Sequence, residues 1–177
     1  LIKDKFENEE KMEYVFFWGN QSRNVHQIGK TCLSQWFERS FEFQNIIFRT
    51  AEHWMMAGKA RLFNDDAILA KILETDNPAI AKKLGRQVKD FDVPTWKQHM
   101  RQIVANGSFL KFQRNPDLLA FLETTGNKIL VEASPFDPHW GIGMSVADAE
   151  RVSPENWKGT NWLGWCLMEA RDALRAS

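Results

Sequence analysis

Three side chains offer acid, base or nucleophile chemistry at spacings worth following: Glu52, Lys59 and Asp137. The first two belong to Arg49–Leu62, a stretch whose pattern predicts one helix. Thr50 is a good N-cap, because its hydroxyl can accept a hydrogen bond from a free backbone N–H of the first turn. Ala51, Trp54, Met55 and Leu62 recur at helical spacing and predict a core-facing stripe. Seven residues bring a helix back to within roughly 20° of the same face, about 10 Å along its axis. Glu52 and Lys59 are therefore too far apart for an ion pair, yet a sugar-sized ligand would span them. Met56 lies between them. Gly58 sits mid-helix, at a cost of about 1 kcal/mol relative to alanine, which suits a place where another group approaches the backbone. On spacing alone, Glu52 is ordinary dipole complementation and Lys59 an ordinary solvated lysine. Asp137 is different. It lies in Ser134–Gly143, where two prolines and two glycines surround one Asp and one Trp and neither helix nor strand period fits. Such a segment reads as a shaped loop, of the kind that carries function on a rigid scaffold.

The whole chain sets the limits within which these residues work. Its 177 residues suffice for one domain with a real core. The expectation is a lead-in over 1–13 and a single domain over 14–177. Formal net charge is zero, which speaks against broad nucleic-acid affinity, since that needs a basic excess. Thirteen Phe and eight Trp against one Tyr provide both core and enough indoles to line a pocket. Cys32 and Cys166 stand far apart and match no metal-ligand spacing, and the four histidines form no His-x-x-x-His pair. No metal and no cofactor is expected. Residues 1–11 are charged rather than apolar, unlike a signal peptide, and no apolar run approaches a membrane span. With reduced cysteines as the default, the expected location is the cytoplasm.

The elements that must position these residues follow in order. Tyr14–Trp18 predicts a strand and Gly19–Gly29 a loop. Phe41–Phe48 alternates and reads as one strand of a small antiparallel sheet. After the central helix, Asn64 and Asp65 cap a helix over Ala67–Leu73. Asn77-Pro78 starts another, which stops at Gly85. Lys82, Lys83, Arg86 and Lys89 cluster at its end. Pro94 opens a helix through about Val104, closed by Asn106-Gly107. Asn115-Pro116 opens one closed by Gly126. Lys128–Glu132 is a strand, and Asn161 caps a last helix to Ala176. The sum is an α+β fold, mostly helical with a few short strands. No strand–Gly-rich-loop–helix unit supports a dinucleotide or P-loop fold.

Several pieces, in order, resemble the NADAR family, also called YbiA-like N-glycosidases. They are Thr50-Ala51-Glu52-His53-Trp54 through Lys59, Leu84-Gly85-Arg86, Trp96 to Met100, Lys111-Phe112, and Leu130-Val131-Glu132. Asp137-Pro138-His139-Trp140-Gly141-Ile142-Gly143 follows, then Gly159-Thr160-Asn161-Trp162-Leu163-Gly164 through Leu167-Met168-Glu169-Ala170-Arg171. The resemblance runs from about residue 14 to the C-terminus. One departure is Ile142, where some members carry an acid inside the Trp-Gly-x-Gly turn.

The resemblance implies hydrolysis of the bond between a ribose anomeric carbon and a base nitrogen. The implied substrates are phosphoribosylamino-pyrimidine intermediates of riboflavin synthesis, or ADP-ribosylated guanine as nucleotide or within nucleic acid. Breaking that bond builds positive charge on the sugar and negative charge on the leaving nitrogen. A carboxylate and a proton donor answer those charges. Glu52 is the expected acid/base group and Asp137 the second carboxylate. Lys59 is either an electrostatic helper or a nucleophile that forms a Schiff base with an opened ribose. Arg86 and Lys89 are expected to hold phosphate, Trp140 with Gly141 to meet the base, and Asn161 to bond sugar hydroxyls. The alternative is a non-catalytic ADP-ribose or nucleotide sensor, for which Ile142 is the one argument.

Overall fold

The structure is a computed structural model that describes residues 12–20 and 27–177. The lead-in expected over 1–13 falls mostly outside the described residues, as does part of the loop after Gly19. β1 (Tyr14–Phe17) and β4 (Ile129–Glu132) form a parallel pair, with Tyr14 opposite Ile129 and Phe17 opposite Glu132. β1 buries its last residue, Phe17, and β4 its two middle ones, Leu130 and Val131.

β2 (Phe41–Phe43) and β3 (Ile46–Phe48) pair antiparallel. Here the structure corrects the sequence reading, which took Phe41–Phe48 as one strand. Gln44 and Asn45 adopt φ of 52° and 62°. Two consecutive residues at positive φ make the tight turn whose twist suits a two-residue hairpin. A left-handed Gln is uncommon, so the alternation concealed the turn.

Seven α-helices are present among the described residues. α1 (Ala51–Leu62) is capped by Thr50, whose hydroxyl accepts from the His53 backbone N–H. α2 (Asp66–Glu74) is capped by Asp65 and α3 (Pro78–Gly85) by Asn77. α4 runs over Val93–Gln113, α5 over Pro116–Thr124, α6 over Val146–Ala149 and α7 over Trp162–Arg175. None is long and apolar enough to cross a membrane.

α4 is the main surprise, because it continues nine residues past the stop expected at Val104 (113 − 104). Asn106-Gly107 does not end it. A Cβ on Gly107 would lie 2.4 Å from Trp54 Cδ1, and one on Gly58 would lie 2.7 Å from Ile103 Cγ2. Trp54 Nε1 also donates to the Ile103 carbonyl at 2.8 Å. The two glycines are the contact points where α1 and α4 cross. Burial of the Trp54 ring against this crossing and the Phe41–Phe48 hairpin outweighs the propensity cost of about 1 kcal/mol for a mid-helix glycine. α7 packs on both α4 and β4. Leu33, Phe48, Phe112, Leu130, Leu163 and Leu167 form the fully buried centre.

Candidate active site

The carboxyl ends of parallel strands are where ligands bind in many α/β sheets, and Glu132 ends β4. Asn161 secures it there. Its Oδ1 accepts from the Glu132 backbone N–H at 3.0 Å and its Nδ2 donates to the Leu130 carbonyl at 2.9 Å. The Asn161 amide is thus committed to β4 and the residue is buried. This corrects two expectations. Asn161 does not cap α7 with its side chain, and it does not line the cavity described next. Its φ of 53° turns the chain so that the side chain points back at the strand.

That cavity, of about 440 Å³, lies between the start of α1, the end of α3, the segment Ser34–Trp36 and the loop after β4. Glu52 enters from the first turn of α1, with its backbone N–H donating to the Gln35 carbonyl at 3.0 Å. Lys82 and Arg86 enter from α3, Trp36 from its segment, and Asp137, His139 and Trp140 from the loop. A larger apolar groove of about 1010 Å³ lies beside Tyr14, Trp157 and Trp165, with Glu155 its one acid. The chemistry-bearing groups are in the smaller cavity.

Burial decides the electrostatics. Glu52 is 5% exposed. Desolvation pushes its carboxyl from the ordinary 4.5 up to about 7, against the pull of Lys82, the Trp36 side chain and Arg86. Asp137 pushes the same way as burial. Glu132 is also pushed up to about 7, first by burial, then by the charges of Asp137 and Glu52, with Lys82 opposing. Its Oε2 is buried without a hydrogen-bond partner among the described residues. An orphaned buried oxygen is costly, and a cavity that binds a polar ligand is where such a cost is tolerated. The Glu52 charge raises the Glu132 pKa, and the Asp137 charge raises both. Near neutral pH both carboxyls therefore stand close to their midpoints.

The loop holds its shape through Asp137. One carboxylate oxygen accepts the backbone N–H groups of His139 at 2.9 Å and Trp140 at 2.8 Å, an Asx turn built by the side chain. The same residue, Asp137, lines the cavity. Gly141 is not on the cavity wall. A Cβ there would lie 2.7 Å from the Glu132 carbonyl, so the glycine lets the loop approach β4. Ile142 is fully buried in a second apolar cluster with Val131, Ala133, Met144 and Ala149. Its side chain therefore takes nothing from the cavity wall.

Lys59 and Lys89 are placed elsewhere than expected. The Lys59 ammonium lies 4.0 Å from the centre of the Phe91 ring and is absent from the cavity lining. Met56 stands between, packed so closely on α3 that a Cβ on Gly85 would lie 2.0 Å from its Sδ. The Lys59 amine is held below its usual pKa, mainly by burial and then by Arg86. Lys89 is exposed, and its backbone N–H is bound to Asp65 Oδ2 at 2.9 Å. Lys82 takes the position expected of Lys89. The i, i+4 spacing of Lys82 and Arg86 puts them on one face and is the signal that would have found it. Trp36 and Glu132 carried weaker signals, the latter as a lone acid closing an apolar strand. Among the described residues, no three His, Cys, Asp or Glu side chains are grouped to hold a metal ion.

Two buried carboxyls, two indoles and two basic side chains thus line one cavity. A family model described as the NADAR domain matches residues 16–175, and the chain belongs to the NADAR family. It is similar to an N-glycosidase of Acanthamoeba polyphaga mimivirus, at 42% identity over 90% of this chain and 95% of that protein. It is also similar to an N-glycosidase of Nostoc punctiforme, at 31% identity over 81% of this chain and 85% of that one. In fold it matches the solution NMR structure of the E. coli protein YbiA with a TM-score of 0.73, covering 93% of this chain and 86% of that one at 23% identity.

Proposed function

We propose that this protein is an N-glycosidase that hydrolyses the bond between a ribose anomeric carbon and a base nitrogen. The observation that carries the reading is the presence of two buried carboxyls, Glu52 and Glu132, both raised to about 7, in one cavity. The names of the two N-glycosidase relatives support it. Protonated carboxyl and carboxylate then divide the work. The acid gives its proton to the leaving base as the C1–N bond breaks. The carboxylate stabilises the cationic sugar and takes a proton from the water that adds to C1, so that acid and base exchange places and the products are free sugar and free base. Trp36 and Trp140 sandwich the base. Lys82 and Arg86 hold phosphate.

The cavity is near the small end of ligand-site volumes, about 300–1000 Å³, and suits a ribosylated base. A 5-phosphoribosylamino-pyrimidine fits within this class. ADP-ribosyl guanine does too, with its second half extending past the exposed Arg86. Incubation with each substrate and chromatography of the released base tests the assignment. Release from neither, by a folded protein, would overturn it.

Arg86→Ala is expected to raise KM by about 10–100-fold, the loss of a charge-assisted contact worth about 1.5–3 kcal/mol, with kcat changed much less. A phosphate grip equal in ground and transition states is uniform binding. An unchanged KM would remove Arg86 from the site.

A second reading gives Lys59 the nucleophile's role, and its depressed amine pKa favours it. Attack by Nζ on C1 would expel the base and leave an imine with the opened ribose, which water then hydrolyses. The amine must first leave the Phe91 ring and pass Met56. For that reason the expected result is that borohydride added during turnover traps nothing on Lys59. Lys59→Arg should also keep activity within about tenfold, a change of roughly 1.4 kcal/mol. A reduced sugar adduct on Lys59 in the mass spectrum would transfer the nucleophile's role to it.

A further inference from the structure

Lys111 is 1% exposed, in the middle of the core, and among the described residues its ammonium bonds carbonyls and no carboxylate. Buried lysines are rare unless paired. Its Nζ donates to the Cys32 carbonyl at 2.6 Å and to the Ser34 carbonyl at 2.9 Å. The rings of Phe37 and Phe112 lie 5.6 and 5.4 Å away. The nearby acid, Asp117, is engaged by both terminal nitrogens of Arg39. The Cys32 thiol is pushed up to about 11, chiefly by burial, so it offers no anion. Burial brings the lysine down to about 8, with Cys32 opposing and Arg39 adding to it. A neutral donor would satisfy two carbonyls at lower desolvation cost. The charge at this point therefore calls for an explanation beyond packing.

What the two carbonyls hold is the cavity wall. Ser34, Gln35 and Trp36 line it. The Gln35 carbonyl accepts the Glu52 backbone N–H, and the Trp36 side chain shares the cavity wall with the Glu52 carboxyl and holds its pKa down. The Trp36 backbone N–H rests on Ser34 Oγ at 3.2 Å. We propose that Lys111 is a positioning residue: from the core side it clamps the Cys32 and Ser34 carbonyls and so sets Trp36 against Glu52. The clamp rests on the reading of Glu52 as the acid/base group only for its consequence in activity. Its geometry is testable without substrate.

The test is a carboxyl NMR titration of Glu52 in the ligand-free protein, with melting followed in parallel. The Trp36 side chain favours the ionised carboxylate and lowers its pKa. Losing that interaction must raise the midpoint. In Lys111→Met the Glu52 midpoint is expected to rise by about half a unit or more. Trp36→Phe should give the same rise, and the double variant no more than either single one. Should Lys111→Met not fold, Lys111→Gln carries the test. Its amide can answer one carbonyl, and an intermediate rise is expected. A folded Lys111 variant with a lowered melting point and a native Glu52 midpoint would overturn the proposal and leave Lys111 as packing alone. Because no turnover is measured, that result is distinct from a failure to find the N-glycosidase substrate.

Discussion

Glu52→Gln is expected to lower kcat by about 10²–10⁴-fold, the range of a lost general acid–base group, while making the folded protein more stable at neutral pH. The two effects have one origin. Burial raises the Glu52 carboxyl from 4.5 to about 7. Between those values the folded state holds a proton that the unfolded state has released. Stability therefore falls as pH rises through that window and levels off above it. Glu132, also raised to about 7, acts in the same direction. A glutamine has no charge to desolvate, so the variant should lose much of this slope. For a shift of this size the gain above pH 7 is on the order of 3 kcal/mol. Thermal unfolding between pH 4.5 and 8 reads it directly, alongside base release at each pH. The native enzyme should be most active near pH 7, where Glu52 and Glu132 are both close to their midpoints, and should decline on both sides. A variant as active as its parent would remove Glu52 from the chemistry. A variant with reduced activity but the parent's full stability slope would show that the buried charge is carried elsewhere.

The residues of this site differ in how far the sequence announced them. The place of Glu52 at the cavity is legible because its neighbours are local: Thr50 caps α1, so the first turn and its acid are fixed within three residues. Asp137 and Trp140 reach the cavity from a segment whose prolines and glycines mark it as an irregular loop. Asn77-Pro78 and Asp65 placed α3 and α2 nearly to the residue for the same local reason. What was not legible is set by partners far along the chain. Gly107 reads as a helix stop until Trp54 is seen lying on it. Gln44-Asn45 reads as alternation until the pairing of Phe41 with Phe48 shows the turn. Lys59 shares a helix face with Glu52, yet Met56 and Gly85 meet between them and the cavity ends there. Lys89 follows the same basic helix end as Arg86, but the backbone bond to Asp65 carries the chain away. Helical periodicity fixes an angle around an axis. It does not say how far along that axis a neighbouring element closes the space.

Gly164→Ala is expected to be the most damaging small substitution in the chain. Gly164 lies in the first turn of α7, against β4. A Cβ there would fall 2.0 Å from the Leu130 carbonyl oxygen and 2.4 Å from Asn161 Nδ2. Neither atom can give way cheaply. The first is backbone of a buried strand, and the second is the amide that donates to that same oxygen at 2.9 Å. Relief requires α7 to move off β4 or the Asn161 bridge to open. Overpacking a core usually costs about 1–3 kcal/mol. Loss of buried hydrogen bonds adds about 1–3 kcal/mol for each group left unsatisfied. The sum is a large part of the total stability of about 5–15 kcal/mol typical of a domain. Since Asn161 Oδ1 also holds the Glu132 backbone, any folded fraction should have Glu132 displaced and kcat reduced. Gly29→Ala is the control, because a Cβ there meets no atom within 4 Å and should change stability by no more than about 0.5 kcal/mol. Circular dichroism melting of the two variants, with base release from whatever remains folded, makes the comparison. Equal melting points would mean that α7 and β4 are not packed through Gly164, and that the Asn161 bridge does not fix Glu132 at the cavity wall.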